Sequence, residues 1–362
     1  MITLSKNRLI SKTNEKSYIY IFWESIFKEI YLHHSMSHQK GYDRYLKVIL
    51  SGLDNAGKSS MLVVMKKMYE YEEAIESLRP TMRIDHYRRS FLNYNLDIND
   101  MGGQEKFRES YIDREIYFEE ADAFIYLIDI KDAERIPISL EYMSSVLEIL
   151  KKTGFNRDKI VHVCFTKTDV DKKFAEIKEF EENRMATQKK IVAEFPEFKF
   201  NFYYTSIYNV YSIVEVFSNA LTACIDGFGS IYNEIDEFAQ QYEFENVVLY
   251  DHKGLIMSEY KKIPSKFAVT DEHHEISMDN LISSNLDYFK KVEDEDNENF
   301  RFFQHVADDC INYGYRFSVP GTPETFYVSV IVSKENEKKY DWSTHELIER
   351  LSDMLRAICC EN

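Results

Sequence analysis

The sequence predicts an α/β domain with a mostly parallel sheet covered by helices on both faces, followed by a smaller α+β domain. Three observations carry this. From Tyr45 onward, continuous apolar runs of strand length alternate with longer segments of helical spacing, as in a parallel sheet buried on both sides. Past about Phe228 that one-for-one alternation stops. The chain also has 362 residues, more than one ordinary domain holds, and 44% hydrophobic against 30% charged residues marks it as folded.

Residues 1–40 read as an N-terminal extension. In it Ile19, Phe22, Trp23, Ile26, Phe27 and Ile30 fall at helical spacing, which predicts an amphipathic helix packed on its own domain or on a partner. Residues 41–228 carry the alternating pattern. The runs YLKVIL, SFLNYNLDIND, DAFIYLIDI, KIVHVCFTK and FKFNFYYTS read as strands, and MLVVMKKMY continues a helix. Further helices are expected over 138–150, 174–195 and 207–225. In residues 229–362, YNEIDEFAQQYE reads as a helix and FENVVLYDHKGLIMSEY as strand, turn and strand. VEDEDNEN is expected to be a solvated loop and FRFFQHVADDCINYG a helix. YRFSV and TFYVSVIVSK read as strands, and a last helix over 343–359 ends in Cys359 and Cys360.

The formal net charge of −17 argues against a nucleic-acid partner, whose phosphates it would repel. Five scattered cysteines without metal spacing fit a reducing compartment. No apolar run approaches the ~20 residues a membrane span needs.

The chemistry starts at SGLDNAGKSSML, directly after the first strand. Gly52, Gly57, Lys58 and Ser59 fit G-x-x-x-x-G-K-[ST] between a strand and a helix. Glycines allow a tight turn whose N–H groups, across Asp54, Asn55, Ala56 and on to Ser60, point inward at phosphates. The helix N-terminus adds its positive end. Lys58 is placed to reach the β- and γ-phosphates, and the Ser59 hydroxyl to sit on Mg²⁺. After the strand YNLDIN comes DMGGQ. Asp100 is placed to hold Mg²⁺ through water, Gly102 and Gly103 to bend close to the γ-phosphate, and Gln104 to orient an attacking water. In the intervening LRPTMRID, Thr81 is the candidate for a further hydroxyl on Mg²⁺. No arginine stands out as one supplied in cis; Arg79, Arg83 and Arg108 lie near these segments without an assigned role.

Base choice needs a different residue. A carboxylate accepts from both the ring N–H and the exocyclic amine of guanine, a pair that adenine lacks. Asp169, in CFTKTD at the end of a buried strand, supplies it, with the Lys167 stem over the base. In YYTSIYN, the N–H groups of Ser206 and Ile207 are candidates for the guanine carbonyl.

These residues carry a resemblance. GLDNAGKSS resembles the phosphate loop of Arf proteins. PTMRID, the GGQ followed by an aromatic, TSIYN, the departure from asparagine in the base motif and the chain length are similar to the Rag (Gtr) GTPases. The resemblance covers about 45–225 by motif and the remainder by order of elements. It implies a P-loop small-GTPase domain followed by a roadblock- or longin-like dimerisation domain, with Mg²⁺ and GTP or GDP as ligands. It further implies a second Rag-like GTPase as heterodimer partner, together with activating and exchange proteins, a TOR-complex component and a membrane scaffold. The expected place is the cytoplasm, peripherally at the lysosomal or vacuolar membrane, in nutrient signalling. Hydrolysis is expected to be slow without an activating partner. Thr166 stands where small GTPases carry the asparagine of N-K-x-D, which removes an amide that ties the base loop to the phosphate loop. An Arf-like trafficking GTPase and a nucleotide-binding scaffold without turnover are the alternatives.

Overall fold

The computed structural model describes residues 44–67, 71–92, 94–155, 158–169, 174–262, 302–306, 310–322, 324–337 and 343–360, with Asn285 and Tyr288. The helix expected within 1–40 and the acidic stretch VEDEDNEN lie outside the described residues.

The first strand, β1 (Arg44–Gly52), shows why both faces of its sheet are covered. Val48 and Leu50 point into one buried cluster and Ile49 into the other, as a period of two dictates. The strands β2 (Ile84–Phe91), β3 (Tyr94–Met101), β4 (Ala123–Asp129), β5 (Ile160–Thr166) and β6 (Lys199–Thr205) complete a six-stranded sheet of order β2-β3-β1-β4-β5-β6. Every pairing is parallel except β2 with β3.

The intervening helices are α1 (Lys58–Lys67), the short α2 (Glu72–Glu76), α3 (Glu105–Ile112), α4 (Ile136–Lys152), α5 (Phe174–Glu194) and α6 (Val210–Thr222). Met61 and Val64 of α1 and Val214 and Phe217 of α6 cover the Val48 face. Met143, Val146 and Leu150 of α4 and Ile191 of α5 cover the Ile49 face. The chain leaves β1 between β3 and β4, which lie on opposite sides of it. That is a topological switch point, where the ends of parallel strands open a crevice.

The strand β2 was not read from the sequence. Its residues IDHYRRSF are mostly charged or polar and alternate weakly, as suits an edge strand that must not pair further. The sequence expectation of one strand over SFLNYNLDIND is therefore corrected to a hairpin, with the left-handed Leu92 (φ 52°) at its turn.

The second sheet is antiparallel. β7 (Asn246–Asp251), β8 (Ile256–Lys261), β9 (Phe302–Val306), β10 (Cys310–Ser318) and β11 (Thr325–Ser333) lie in the order β8-β7-β11-β10-β9. The helix expected over FRFFQHVADDCINYG is wrong: the segment supplies β9 and most of β10, paired Ile311 with Val306 through Tyr315 with Phe302. Aromatic and β-branched residues at alternate positions suit a pleated surface, and β10 gains a long ladder with β11 that a helix would forgo.

Two helices complete this half: α7 (Phe228–Gln241) and α8 (Ser343–Cys360). In α8, Leu347, Leu351 and Leu355 recur every fourth residue and are fully buried. Arg350 joins it to Glu234 of α7 at 2.6 Å.

The two sheets share one interior. The cluster around Val48 and Phe217 continues through Phe228, Ile231 and Ile235 to Val247, Val328 and Leu351, so the described residues from Arg44 onward form one compact unit. A buried ion pair crosses between the sheets, from Arg89 of β2 to Asp251 of β7 at 2.6 Å.

Candidate functional site

The site forms where β1, β3, β4, β5 and β6 end on one edge. Gly52 closes β1 with φ 140°, and a Cβ there would lie 2.4 Å from the Leu127 carbonyl oxygen, so β1 and β4 meet only through glycine. The loop then turns through the left-handed Asn55 into α1. Lys58 folds back over it, and its Nζ donates to the carbonyls of Gly52 at 3.0 Å and Leu53 at 2.6 Å. Burial lowers the Lys58 ammonium to about 8, against the opposing pull of Asp100 and Asp54.

The three candidate metal ligands come together. Ser59 Oγ donates to Asp100 Oδ2 at 2.6 Å and lies 2.7 Å from Thr81 Oγ1, which is itself 3.3 Å from Asp100 Oδ2. Burial raises the Asp100 carboxyl, opposed by the Ser59 hydrogen bond and the Lys58 charge. Its other oxygen, Oδ1, is buried with no hydrogen-bond partner. Two hydroxyls and a carboxylate with an oxygen to spare make a hard-oxygen set that fits Mg²⁺.

The GGQ segment lies directly on the phosphate loop. Asp54 N–H donates to Gly103 O at 3.0 Å. A Cβ on Gly103 would fall 2.2 Å from Asp54 N, so only glycine allows this approach. Arg108, without a role at the sequence level, donates from Nε to Gly103 O at 2.9 Å and lies over the Tyr142 ring. Tyr111 donates to Arg83 O, and that carbonyl also receives Gly102 N–H, each at 2.6 Å. Gln104 is half-buried at the N-cap position of α3. Ser60 lies in the first turn of α1.

At the base corner Asp169 is held on both oxygens, by Lys131 Nζ at 2.8 Å and by Ser206 Oγ at 3.1 Å. Burial opposes its ionisation, but these hydrogen bonds outweigh that and keep the carboxyl below its usual range. Lys167, in a left-handed conformation, pairs with Asp129 at 2.6 Å. Ser206 N–H is taken up by Ser212 Oγ at 3.3 Å, so Ser206 reaches this corner through its hydroxyl; Ile207 follows it, half-buried.

One expectation is reversed. The base loop keeps its tie to the phosphate loop without asparagine, because Thr166 Oγ1 lies within donor reach of Ala56 O at 2.9 Å and of Ile128 O at 3.2 Å. Two further residues were missed. Lys131 and Arg135 both follow β4, and Arg135 grips Asp54, NH2 to Oδ1 at 2.5 Å and NH1 to the carbonyl at 3.2 Å. Their position just past a strand end on this edge was the available signal.

A glycine loop after the central strand, an aspartate and GGQ after its neighbour and a single antiparallel edge strand define a P-loop small-GTPase domain. The Gtr1/RagA G protein conserved region matches residues 47–280, and the chain belongs to that family.

It is also 34% identical over 108 residues to ADP-ribosylation factor-like protein 3 of Chlamydomonas reinhardtii, 30% of this chain and 56% of that protein. ADP-ribosylation factor-like protein 5 of Caenorhabditis elegans is 35% identical over 102 residues, 28% of this chain and 53% of that protein. The chain thus spans about half the length of these curated relatives. Among solved structures, the Arl6 BBS3 small GTPase from Trypanosoma brucei with bound nucleotide analogue GppNp aligns with a TM-score of 0.38 at 20% identity, over 50% of this chain and 97% of that one.

Proposed function

We propose that this chain binds and hydrolyses GTP as a molecular switch, and serves as one subunit of a Rag-like GTPase heterodimer in nutrient signalling to the TOR kinase complex. The observation that carries the nucleotide reading is the meeting of Ser59, Thr81 and Asp100 beside Lys58, with Asp100 Oδ1 buried and unpartnered. Ser59, Thr81 and Asp100 would hold Mg²⁺, which when bound neutralises charge on the phosphate oxygens. The loop N–H groups and Lys58 position the phosphate chain, and Gln104 aligns a water for in-line attack. Asp169 reads guanine once it exchanges Lys131 and Ser206 for the base.

The output is conformational. A γ-phosphate needs the space where Gly103 now rests on Asp54, so its arrival parts that contact and its loss restores it. An arginine from an activating partner would speed hydrolysis by roughly 10³–10⁵. The antiparallel sheet is proposed as a roadblock-like dimerisation module, and partners would tether the chain at a lysosomal or vacuolar membrane. No helix among the described residues is long and apolar enough to cross a membrane. The likeness to ADP-ribosylation factor-like proteins keeps one rival, an Arf-like trafficking GTPase.

Purification of the tagged full chain, chromatography of its bound nucleotide and mass spectrometry of its partner test the reading. Guanine nucleotide with a second Rag-like chain supports it; guanine nucleotide on a monomer favours the rival; no nucleotide refutes both. In single-turnover assays Gln104→Leu is expected to slow GTP hydrolysis by roughly a hundredfold while the chain still binds GTP. Equal rates would remove Gln104 from the mechanism.

A further inference from the structure

We propose that Arg135 is a positioning residue of the phosphate loop: by neutralising the Asp54 carboxylate, it lets the loop accept a triphosphate. The inference rests on the nucleotide reading above. Asp54 is an awkward residue for its place. It sits between Gly52 and Gly57, in the loop whose N–H groups would face the phosphates, and a carboxylate there repels the phosphate chain.

Arg135 answers this with both arms of its guanidinium. One meets the Asp54 carboxylate at 2.5 Å and the other the Asp54 carbonyl at 3.2 Å. A fork that spans side chain and main chain of one residue fixes its direction as well as its charge, which a lysine ammonium does not. The mount is firm. Arg135 ends the 3₁₀ turn Ala133–Arg135, and α4 begins at the next residue with Pro137 in its first turn. From the other side Asp54 N–H is held by Gly103 O at 3.0 Å. Asp54 therefore stands between the segment that must move for a γ-phosphate and an arginine that does not belong to that segment.

Side-chain exposures of 34% for Arg135 and 48% for Asp54 mean that water screens the pair as it stands. Phosphates covering the loop would exclude that water and strengthen every charge interaction beneath them. Without Arg135, the bare Asp54 carboxylate would oppose GTP more than GDP, because GTP brings the additional charge.

The test uses the full chain and fluorescent GTP and GDP analogues at fixed Mg²⁺ and salt. Arg135→Met is expected to lower the GTP-to-GDP affinity ratio by about tenfold. Adding Asp54→Asn to Arg135→Met should bring the ratio back to within about twofold of wild type, since the two residues act as one unit. Arg135→Lys should fall between. A merely structural arginine would affect both nucleotides alike. An unchanged ratio in Arg135→Met, or no recovery on adding Asp54→Asn, overturns the proposal. Wild-type protein that binds neither analogue overturns the nucleotide reading itself, and this proposal with it.

Discussion

Arg89→Met should be among the most damaging single changes far from the nucleotide site. Arg89 and Asp251 are 6% and 4% exposed at the side chain and meet at 2.6 Å between the two sheets. Removing one partner of such a pair strands the other charge in the interior, which costs about 3–5 kcal/mol. Asp251 has some compensation: its Oδ1 accepts the N–H groups of Lys253 at 2.9 Å and Leu255 at 2.7 Å. That places the expected loss near the lower figure, about 3 kcal/mol, still a large share of a stability of about 5–15 kcal/mol. The assay is urea unfolding of the full chain followed by far-UV circular dichroism. Asp251→Asn added to Arg89→Met keeps an acceptor for the turn and removes the stranded charge, so it should recover about 1–2 kcal/mol. The neighbourhood adds a pH signature. Burial and the Asp251 charge raise the Glu324 carboxyl, and Arg89 lowers it. Without Arg89 it rises further, so the Arg89→Met deficit should shrink as acid protonates Glu324. A loss below about 1 kcal/mol at neutral pH would refute the reasoning, because it would mean that water reaches the pair.

Thr166→Val removes the hydroxyl that ties the base loop to Ala56 and is expected to destabilise the chain by about 1–2 kcal/mol and speed guanine-nucleotide release; Thr166→Asn should retain the tie, and an unchanged release rate in Thr166→Val would show that the hydroxyl does not matter. Lys58, which burial holds at about 8 in the free protein, must be protonated to grip phosphate, and a bound anion raises it. GTP affinity measured across pH should therefore fall by about tenfold per unit above pH 8, and a flat profile would mean that Lys58 does not contact phosphate. The stability sign is opposite: because Lys58 sits below its ordinary value in the folded chain, its burial penalty is present below about pH 8 and is relieved as pH rises toward 10.5.

The central strands were legible because β4 and β5 are mostly apolar and β1 carries the continuous run Val48–Leu50, the pattern expected of a doubly covered sheet. The phosphate loop, DMGGQ and Asp169 were legible because short motifs follow strand ends in a fixed order. What stayed hidden depends on partners distant in sequence. The strand β2 has too little apolar character to announce itself, and its place is set by the ladder to β3. The aromatic segment over β9 and β10 suits a helix or a strand until β11 supplies a neighbour. Arg135 lies 81 residues from Asp54, and Thr166 lies 110 from Ala56; no local spacing encodes either contact. The expectation that losing the asparagine amide removes the tie overlooks that a buried donor is enough there, and the Thr166 hydroxyl supplies one to Ala56 O at 2.9 Å.

The contacts on the phosphate loop differ in what they allow. Thr166 holds Ala56 from the end of β5, Arg135 holds Asp54 from beyond β4, and Lys58 holds the Gly52 and Leu53 carbonyls from α1. All three engage carbonyls or the Asp54 carboxylate rather than a loop N–H, while within the loop the Ala56 N–H donates to Leu53 O at 3.3 Å. Gly103, from outside the loop, takes an N–H, that of Asp54, and it does so just beyond β3, in the hairpin whose other strand carries Arg89. On the proposed reading a γ-phosphate competes for that N–H. The tie that such a phosphate would part belongs to the end of the β2–β3 hairpin, whose other strand is joined to the antiparallel sheet by the buried Arg89–Asp251 pair. A loop held at three points through its carbonyls and one carboxylate, and at a fourth through an N–H, offers a phosphate one tie to compete for, which is what the proposed switch requires of its nucleotide.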